Sequence, residues 1–161
     1  MPDELTLAVE DPRTADAANL MERLTADLAE RYGDDGVGDF RLEDVCGPGG
    51  TFLIARLGDV PVGCGALRPI TPELGELKRM YVEPAQRGIG IARRLLAELE
   101  RRAFALGYLA LRLETGTLQP EAVSLYDSSG YHRIECYGFH KDDPRSICFE
   151  KRLGGTVSPA S

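Results

Sequence analysis

The feature that most constrains this chain is a strand-like segment that passes through two glycines directly into a long amphipathic helix. Residues 74–82 read as a strand that Glu83-Pro84 ends, and a helix is predicted over Gly88–Leu106. Its apolar face comprises Leu95, Leu96, Leu99, Ala103 and Leu106. Because Gly88 and Gly90 carry no side chain, the free N–H groups at the helix start are open to an anion. The junction therefore predicts a phosphate-binding turn.

The rest of the chain alternates strands and helices without a repeat. Further strands are predicted over Leu5–Val9, Thr51–Leu57, Val62–Ile70, Leu109–Glu114, Tyr131–Cys136 and Ser146–Arg152, and further helices over Asp16–Tyr32 and Pro120–Ser128. A length of 161 residues suits one domain. We therefore predict a single mixed α/β domain over residues 1–153, built on one central sheet, and a flexible tail over residues 154–161.

Charge and hydropathy exclude several function classes. The chain has 19 Lys+Arg against 26 Asp+Glu, a net charge of −7, which disfavours binding to nucleic acid. No apolar run approaches the ~18 residues that a membrane-spanning helix needs. The acidic start Met1-Pro2-Asp3-Glu4 is unlike a signal peptide. We expect a cytoplasmic protein without nucleic-acid or membrane partners.

The cysteines and histidines give little sign of a disulfide scaffold or a metal site. Cys46, Cys64, Cys136 and Cys148 form no Cys-x-x-Cys pair, which predicts buried thiols. His132-x3-Cys136-x3-His140 has a spacing that would suit metal ligands on a helix, but Gly130 and Gly138 disfavour a helix there. We therefore expect surface imidazoles and no metal.

The glycine turn can be compared with known phosphate-binding loops. The chain contains no Gly-Lys-Ser or Gly-Lys-Thr, which excludes a P-loop. Gly88-Ile89-Gly90 is followed at the third position by Arg93, which excludes a dinucleotide fingerprint. The pattern that remains is R-x-x-G-x-A over Arg87–Ala92, which is suited to a diphosphate.

The distribution of charge leaves two interpretations of this region open. Residues 78–102 carry seven cations and three acids, a net charge of +4, whereas residues 1–50 carry 13 acids and four arginines, a net charge of −9. Such a cationic island suits a small anionic ligand. It also suits a solvated helix face.

The loop and its neighbours together resemble the GNAT superfamily of N-acetyltransferases. The pyrophosphate loop of that family reads Q/R-x-x-G-x-G/A. Residues 75–82 resemble its fourth strand and residues 111–116 its fifth. Residues 122–131 resemble its A-x-x-L-Y-x-x-x-G-F/Y segment. The resemblance covers about residues 51–153 and implies a mixed central sheet, flanked by helices, whose fourth and fifth strands splay apart.

The resemblance implies acetyl-CoA as co-substrate. The backbone of Met80, Tyr81 and Val82 would bond the pantetheine arm, and the turn would hold the phosphates. Gln119 would replace an asparagine that many family members carry. The cofactor-binding residues predicted in this way are Met80, Tyr81, Val82, Gln86, Arg87, Gly88, Ile89, Gly90, Ile91, Ala92, Gln119 and Tyr126.

The activity that the resemblance implies is acetyl transfer to a primary amine of a small molecule or peptide, by direct attack on the thioester. Something must take the amine's proton. Glu76 is the first candidate, and simple alternation places it on one face with Lys78 and Met80, so that Lys78 can pair with it. Glu114 is the rival base, and Tyr126 is the general acid. The alternative is a catalytically silent acetyl-CoA-binding domain.

The acceptor is expected to meet the first helix, the loop after it and residues 137–145. Acids in the first of these segments form a predicted acidic rim that favours a cationic acceptor: Asp34, Asp35, Asp39, Glu43 and Asp44. Residues 137–145 carry mixed charges, so a carboxylate-bearing acceptor stays open. A homodimer is compatible with the sequence.

Overall fold

The computed structural model describes residues 4–33 and 40–154. The strands are β1 (Leu5–Val9), β2 (Thr51–Leu57), β3 (Val60–Thr71), β4 (Leu74–Val82), β5 (Ala110–Gly116), β6 (His132–Ile134) and β7 (Ser146–Arg152). The α-helices are α1 (Ala15–Tyr32), α2 (Glu43–Cys46), α3 (Ile91–Ala105) and α4 (Pro120–Asp127). Short 3-10 turns cover Pro84–Gln86 and Gly138–His140.

All seven strands form one sheet in the order β1-β2-β3-β4-β5-β7-β6. Neighbouring strands are antiparallel except β4 and β5, which run parallel. That parallel pairing extends only over Leu74–Leu77 against Ala110–Leu113. Beyond it the two strands separate, so the predicted splay of the fourth and fifth strands is confirmed.

Helices cover both faces of the sheet, because each helix has one apolar side to bury. On one face α3 and α4 enclose a core that includes Leu95, Leu99 and Leu111. On the other face α1 and α2 enclose a second core, which includes Leu20 and Phe52. The predicted mixed α/β architecture is therefore confirmed.

The turn before α3 is longer than the sequence predicted. Gly88 and Gly90 have φ values of 86° and 89°, in the left-handed region that a right-handed helix cannot contain. The helix therefore begins at Ile91, not at Gly88, with Gly90 as its N-cap. The glycines form the turn itself.

A bulge in β4 overturns the predicted alternation. Arg79 has φ 56°, and the register shifts so that Cys64 lies opposite Tyr81 while Ala66 lies opposite Lys78. The extra residue reverses the faces beyond it. Met80 packs against the α3 core, whereas Tyr81 belongs to the α1 core. Placing Met80 on the face of Glu76 was therefore wrong.

The prediction of buried thiols was correct for Cys64 and wrong for the other three cysteines. Cys64 is a buried thiol and Cys46 an exposed one. Cys136 and Cys148 form a disulfide, with their Cα atoms 5.2 Å apart. The antiparallel pairing of β6 with β7 brings them together, since Ile134 lies opposite Cys148. A spacing of 12 residues does not reveal this pairing.

The sequence predicts neither a membrane-spanning helix nor a metal site, and the described residues can be compared with both expectations. No helix in the described parts of the chain has the length and apolar character needed to cross a membrane. Within residues 4–33 and 40–154, no three His, Cys, Asp or Glu side chains gather closely enough to hold a metal ion. The predicted tail begins at Gly154, and the rest of it lies outside the described residues.

Candidate active site

The gap between β4 and β5 opens into a cleft of about 1020 Å³. Its walls come from α1, the bulged half of β4, the turn before α3, the end of β5, α4 and residues 138–146. Separated parallel strands leave backbone N–H and C=O groups without ladder partners. The cleft therefore offers a polar strand edge between two apolar cores.

One end of the cleft is the glycine turn at the start of α3. Added Cβ atoms at Gly88 and Gly90 would meet no atom within 4 Å, so the space in front of the turn is open. The first N–H groups of α3 have no partner within the helix, and its dipole adds positive potential there. The space and the donors fit a diphosphate.

Arginines frame this end of the cleft. Arg87 donates from Nε to the carbonyl oxygen of Val82 at 2.8 Å and lies over the ring of Tyr81. Arg93 donates to the hydroxyl of Ser128 at 2.9 Å. Arg87 therefore holds the turn against β4, and the carbonyl of Val82 is already engaged.

The two interpretations of the cationic island apply to different residues. Lys78, Arg79, Arg87 and Arg93 line the cleft. Arg101 and Arg102 instead bond Glu98 on the outer side of α3 at 2.7 and 2.8 Å. The island is thus partly a ligand-facing surface and partly a solvated helix face.

Most of the predicted cofactor-binding residues come together in this cleft. Those that line it are Met80, Tyr81, Val82, Gln86, Arg87, Gly88, Gly90, Ile91, Ala92, Gln119 and Tyr126. Ile89 does not, because its side chain points outward and is 65% exposed.

Tyr126 reaches the cleft from α4. The residue is 4% exposed, and its ring packs against Tyr131 and Phe149 at centroid distances of 5.6 and 5.8 Å. Burial raises the pKa of its phenol above the ordinary value. The hydroxyl is therefore protonated at neutral pH.

Glu114 lies in the cleft where β5 leaves β4. Its Oε2 accepts a hydrogen bond from Ser146 Oγ at 2.8 Å, and its Oε1 lies 3.7 Å from His140 Nδ1. Burial raises the pKa of the Glu114 carboxyl, against smaller lowering effects of His140, Ser146 and Lys78. A carboxylate with a raised pKa is a better proton acceptor.

Glu76 lies elsewhere. It is 3% exposed, behind the cleft wall, and does not line the cleft. Its Oε1 accepts from Arg68 Nε at 2.9 Å and Nη2 at 2.8 Å, and its Oε2 accepts from the Tyr137 hydroxyl at 2.7 Å. Arg68 also pairs with Asp44 at 2.9 Å. Both carboxylate oxygens of Glu76 are engaged by the protein itself.

His140 is a cleft residue that sequence reasoning missed. It was expected on the surface, but it is 9% exposed. Its ring stands edge-on to those of Tyr137 and Phe139. Within the described parts of the chain, its Nε2 is buried without a hydrogen-bond partner. The sequence signal that could have identified it is its place in residues 137–145, the segment expected to meet the acceptor.

Contacts between α1 and the start of α4 close one side of the cleft. Tyr32 donates to Gln119 Oε1 at 3.1 Å and accepts from the Leu118 N–H at 3.0 Å. A side chain at Gly116 would clash with the Tyr32 hydroxyl, so the close approach needs glycine. The amide oxygen of Gln119 is thereby fixed.

The predicted acidic rim is described only in part. Glu43 pairs with Arg41 at 3.7 Å, and Asp44 pairs with Arg68. Neither acid lines the cleft. The other three, Asp34, Asp35 and Asp39, lie outside the described residues.

Comparisons with known proteins agree with this geometry. The sequence model of the acetyltransferase (GNAT) family matches residues 17–131. The IAA acetyltransferase of Azospirillum brasilense is 38% identical over 154 residues, which span 95% of this chain and 100% of that protein.

The fold is also similar to solved structures of acyltransferases. A proposed acyl-CoA N-acyltransferase from Klebsiella pneumoniae superposes with a TM-score of 0.78 at 30% identity, over 92% of this chain and 97% of that one. A GNAT acetyltransferase from Elizabethkingia anophelis, solved with acetyl-CoA bound, has a TM-score of 0.70 at 20% identity, over 94% of this chain and 99% of that one.

The fold is of mixed α/β architecture, with a cleft where its two parallel strands separate. The chain belongs to the acetyltransferase (GNAT) family. Its relatives support an acyltransferase activity.

Proposed function

We propose that this protein transfers the acetyl group of acetyl-CoA to a primary amine of a small molecule or peptide. The observation that carries the proposal is the shared cleft. One opening brings together a turn suited to a diphosphate, a partly buried carboxylate and a buried phenol. The relative solved with acetyl-CoA bound and the relative named IAA acetyltransferase support an acetyl donor.

The turn before α3 would hold the diphosphate of acetyl-CoA. Gly88 and Gly90 leave it room, and Arg87 and Arg93 supply positive charge. The cleft-facing edge of β4 around Met80 and Tyr81 would bond the amides of the pantetheine arm. When bound, acetyl-CoA supplies a thioester, so that a nitrogen–carbon bond forms and the carbon–sulfur bond breaks.

Glu114 is the base that we favour. An amine reaches the site mostly as ammonium, and it must lose a proton before it can attack. Glu114 lies in the cleft, whereas Glu76 is held by Arg68 and Tyr137 behind the wall. Glu114 Oε1 would accept the amine's proton, directly or through one water molecule.

Tyr126 would act at the other side of the reacting bond. Its phenol keeps its proton because burial raises the pKa. It would donate that proton to the sulfur as the thiol leaves. The amine nitrogen loses a second proton when the amide forms, and that proton restores the Tyr126 phenol. The proton taken up by Glu114 returns to solvent, so each cycle yields an amide, a free thiol and one released proton.

The cofactor site is tested with a matched pair of variants. Asparagine and aspartate both tolerate the left-handed backbone of Gly90 and differ only in charge. We expect Gly90→Asp to weaken acetyl-CoA binding about tenfold relative to Gly90→Asn, since a carboxylate there repels the diphosphate. Isothermal titration with acetyl-CoA measures this, and equal affinities would remove the turn from the proposal.

Turnover is tested separately by following free CoA while amines, amino acids and peptides are supplied in turn. Release that depends on a primary amine supports the proposal. Tight binding of acetyl-CoA without release for any acceptor would instead indicate a silent acetyl-CoA-binding domain.

A further inference from the structure

The side chains of Glu114 and His140 face each other at the acceptor side of the cleft, although they come from distant parts of the chain. Glu114 is a half-buried residue near the end of β5, and His140 lies in the turn Gly138–His140. The Oε1–Nδ1 distance is 3.7 Å, which is within ion-pair range and longer than a hydrogen bond. A small adjustment of either side chain would bring them into hydrogen-bond contact.

The imidazole is held in place by its surroundings. The rings of Tyr137 and Phe139 stand edge-on to it, at centroid distances of 6.4 and 5.5 Å. The Tyr137 hydroxyl is in turn anchored on Glu76 at 2.7 Å. Among the described residues, His140 Nε2 is buried without a partner, so Glu114 is the polar group that the imidazole faces.

We propose that Glu114 and His140 take up the acceptor's proton as one unit, in which the imidazole holds the proton beside the carboxylate. His140 is then a positioning residue, since it acts through Glu114. This inference rests on the proposed function, because it assumes that Glu114 is the base.

The proton balance of the unit is simple. The amine nitrogen gives one proton to the Glu114 carboxylate, and that proton passes to the neutral imidazole of His140. The result is an imidazolium next to a carboxylate. Loss of the proton to solvent restores the pair.

Charges from the neighbouring elements also act on the pair. Asp143, on the same loop, lies close enough for His140 to lower the pKa of the Asp143 carboxyl, although Arg145 lowers it more. Lys78 acts from β4, where its charge lowers the pKa of the Glu114 carboxyl. Asp143 is paired with Arg145 at 3.1 Å. Asp143 is therefore engaged by Arg145, and Glu114 is the carboxylate that faces the imidazole of His140.

The test uses His140→Gln and His140→Asn, with His132→Gln as the matched control. The chain has two histidines, and His132 is exposed on β6, outside the cleft. The first readout is the carboxyl carbon-13 resonance of Glu114, followed against pH in the protein alone. A protonated His140 lowers the pKa of Glu114, so both substitutions at 140 should move its titration to higher pH.

The second readout is the pH dependence of kcat/KM. Both substitutions at 140 should move the acid limb to lower pH, because the unit then takes up its proton on Glu114 alone, and should lower kcat by about 10²-fold, the lower end of general-base effects. His140→Asn keeps an amide near the position of Nδ1 but cannot take up a proton. Full rescue by His140→Asn would show a merely structural role and overturn the inference.

Two further results would also overturn it. An unchanged Glu114 titration in both variants, as in His132→Gln, would show that the pair is not coupled. The second result is a wild-type kcat in Glu114→Gln, although the Glu114 titration is shifted in the His140 variants. That result would overturn the proposed base, and with it the proton route.

Discussion

Substitution of Glu76 distinguishes most clearly between the two candidate bases. Glu76→Gln keeps the shape of the side chain and removes its charge. Arg68, whose side chain is 9% exposed, then loses the carboxylate that binds its Nε and Nη2. Breaking a buried ion pair costs about 3–5 kcal/mol. Arg68 keeps Asp44, so we expect the lower end, about 3 kcal/mol of unfolding free energy.

The size of this effect is measurable. In a chain of this length 1 kcal/mol corresponds to about 2–4 °C in Tm, so Tm should fall by roughly 6–12 °C. The matched control is Glu150→Gln, which removes a partly exposed pair with Arg112 on the sheet. That pair should contribute about 1 kcal/mol or less. Chemical and thermal unfolding of both variants measure the difference.

The same variant is then assayed for activity across pH. If Glu76 anchors Tyr137 and does not accept the proton, the acid limb of kcat/KM should remain in Glu76→Gln at its wild-type pH. Wild-type stability combined with loss of that limb would refute the reasoning and restore Glu76 as the base.

The remaining predictions concern the two residues that we place in the cleft. Tyr126→Phe should lower kcat by about 10²-fold and leave acetyl-CoA affinity unchanged, since a proton donor is lost without a change of shape; an unchanged kcat would remove Tyr126 as the acid. Burial raises the pKa of Glu114 above its unfolded value, so its contribution to stability is present at low pH and lost as pH rises through the folded pKa. Glu114→Gln should therefore raise Tm relative to wild type at pH 8, and this gain should vanish below roughly pH 4. Thermal unfolding across pH checks the second prediction, and a gain that grows toward low pH would contradict it.

The sequence predicted the local features of this fold well. The strands Leu5–Val9, Thr51–Leu57, Leu74–Val82 and Ser146–Arg152 have the predicted bounds. Turn residues mark their ends. The glycine turn is formed by consecutive residues, so it can be recognised from the sequence alone. The cleft also follows from local signals, because the turn before α3 and the end of β5 flank it.

What the sequence did not predict depends on contacts between distant residues. The positive φ at Arg79 has no residue-type signal, since glycine is the usual marker. Glu76 is engaged by Tyr137, 61 residues away, and the disulfide depends on the pairing of β6 with β7. His140 is buried because the loop after β6 folds over β5. Such positions are fixed by packing rather than by sequence pattern.

We have proposed that the cleft moves an acetyl group onto an amine nitrogen. The most direct measurement supplies acetyl-CoA deuterated in its acetyl group with the best amine of the panel and analyses the products by mass spectrometry. We predict a deuterated amide with wild-type protein and a strongly reduced yield with Glu114→Gln and Tyr126→Phe. An acetyl label found on no amine, or an equal amide yield from all three proteins, would contradict the account.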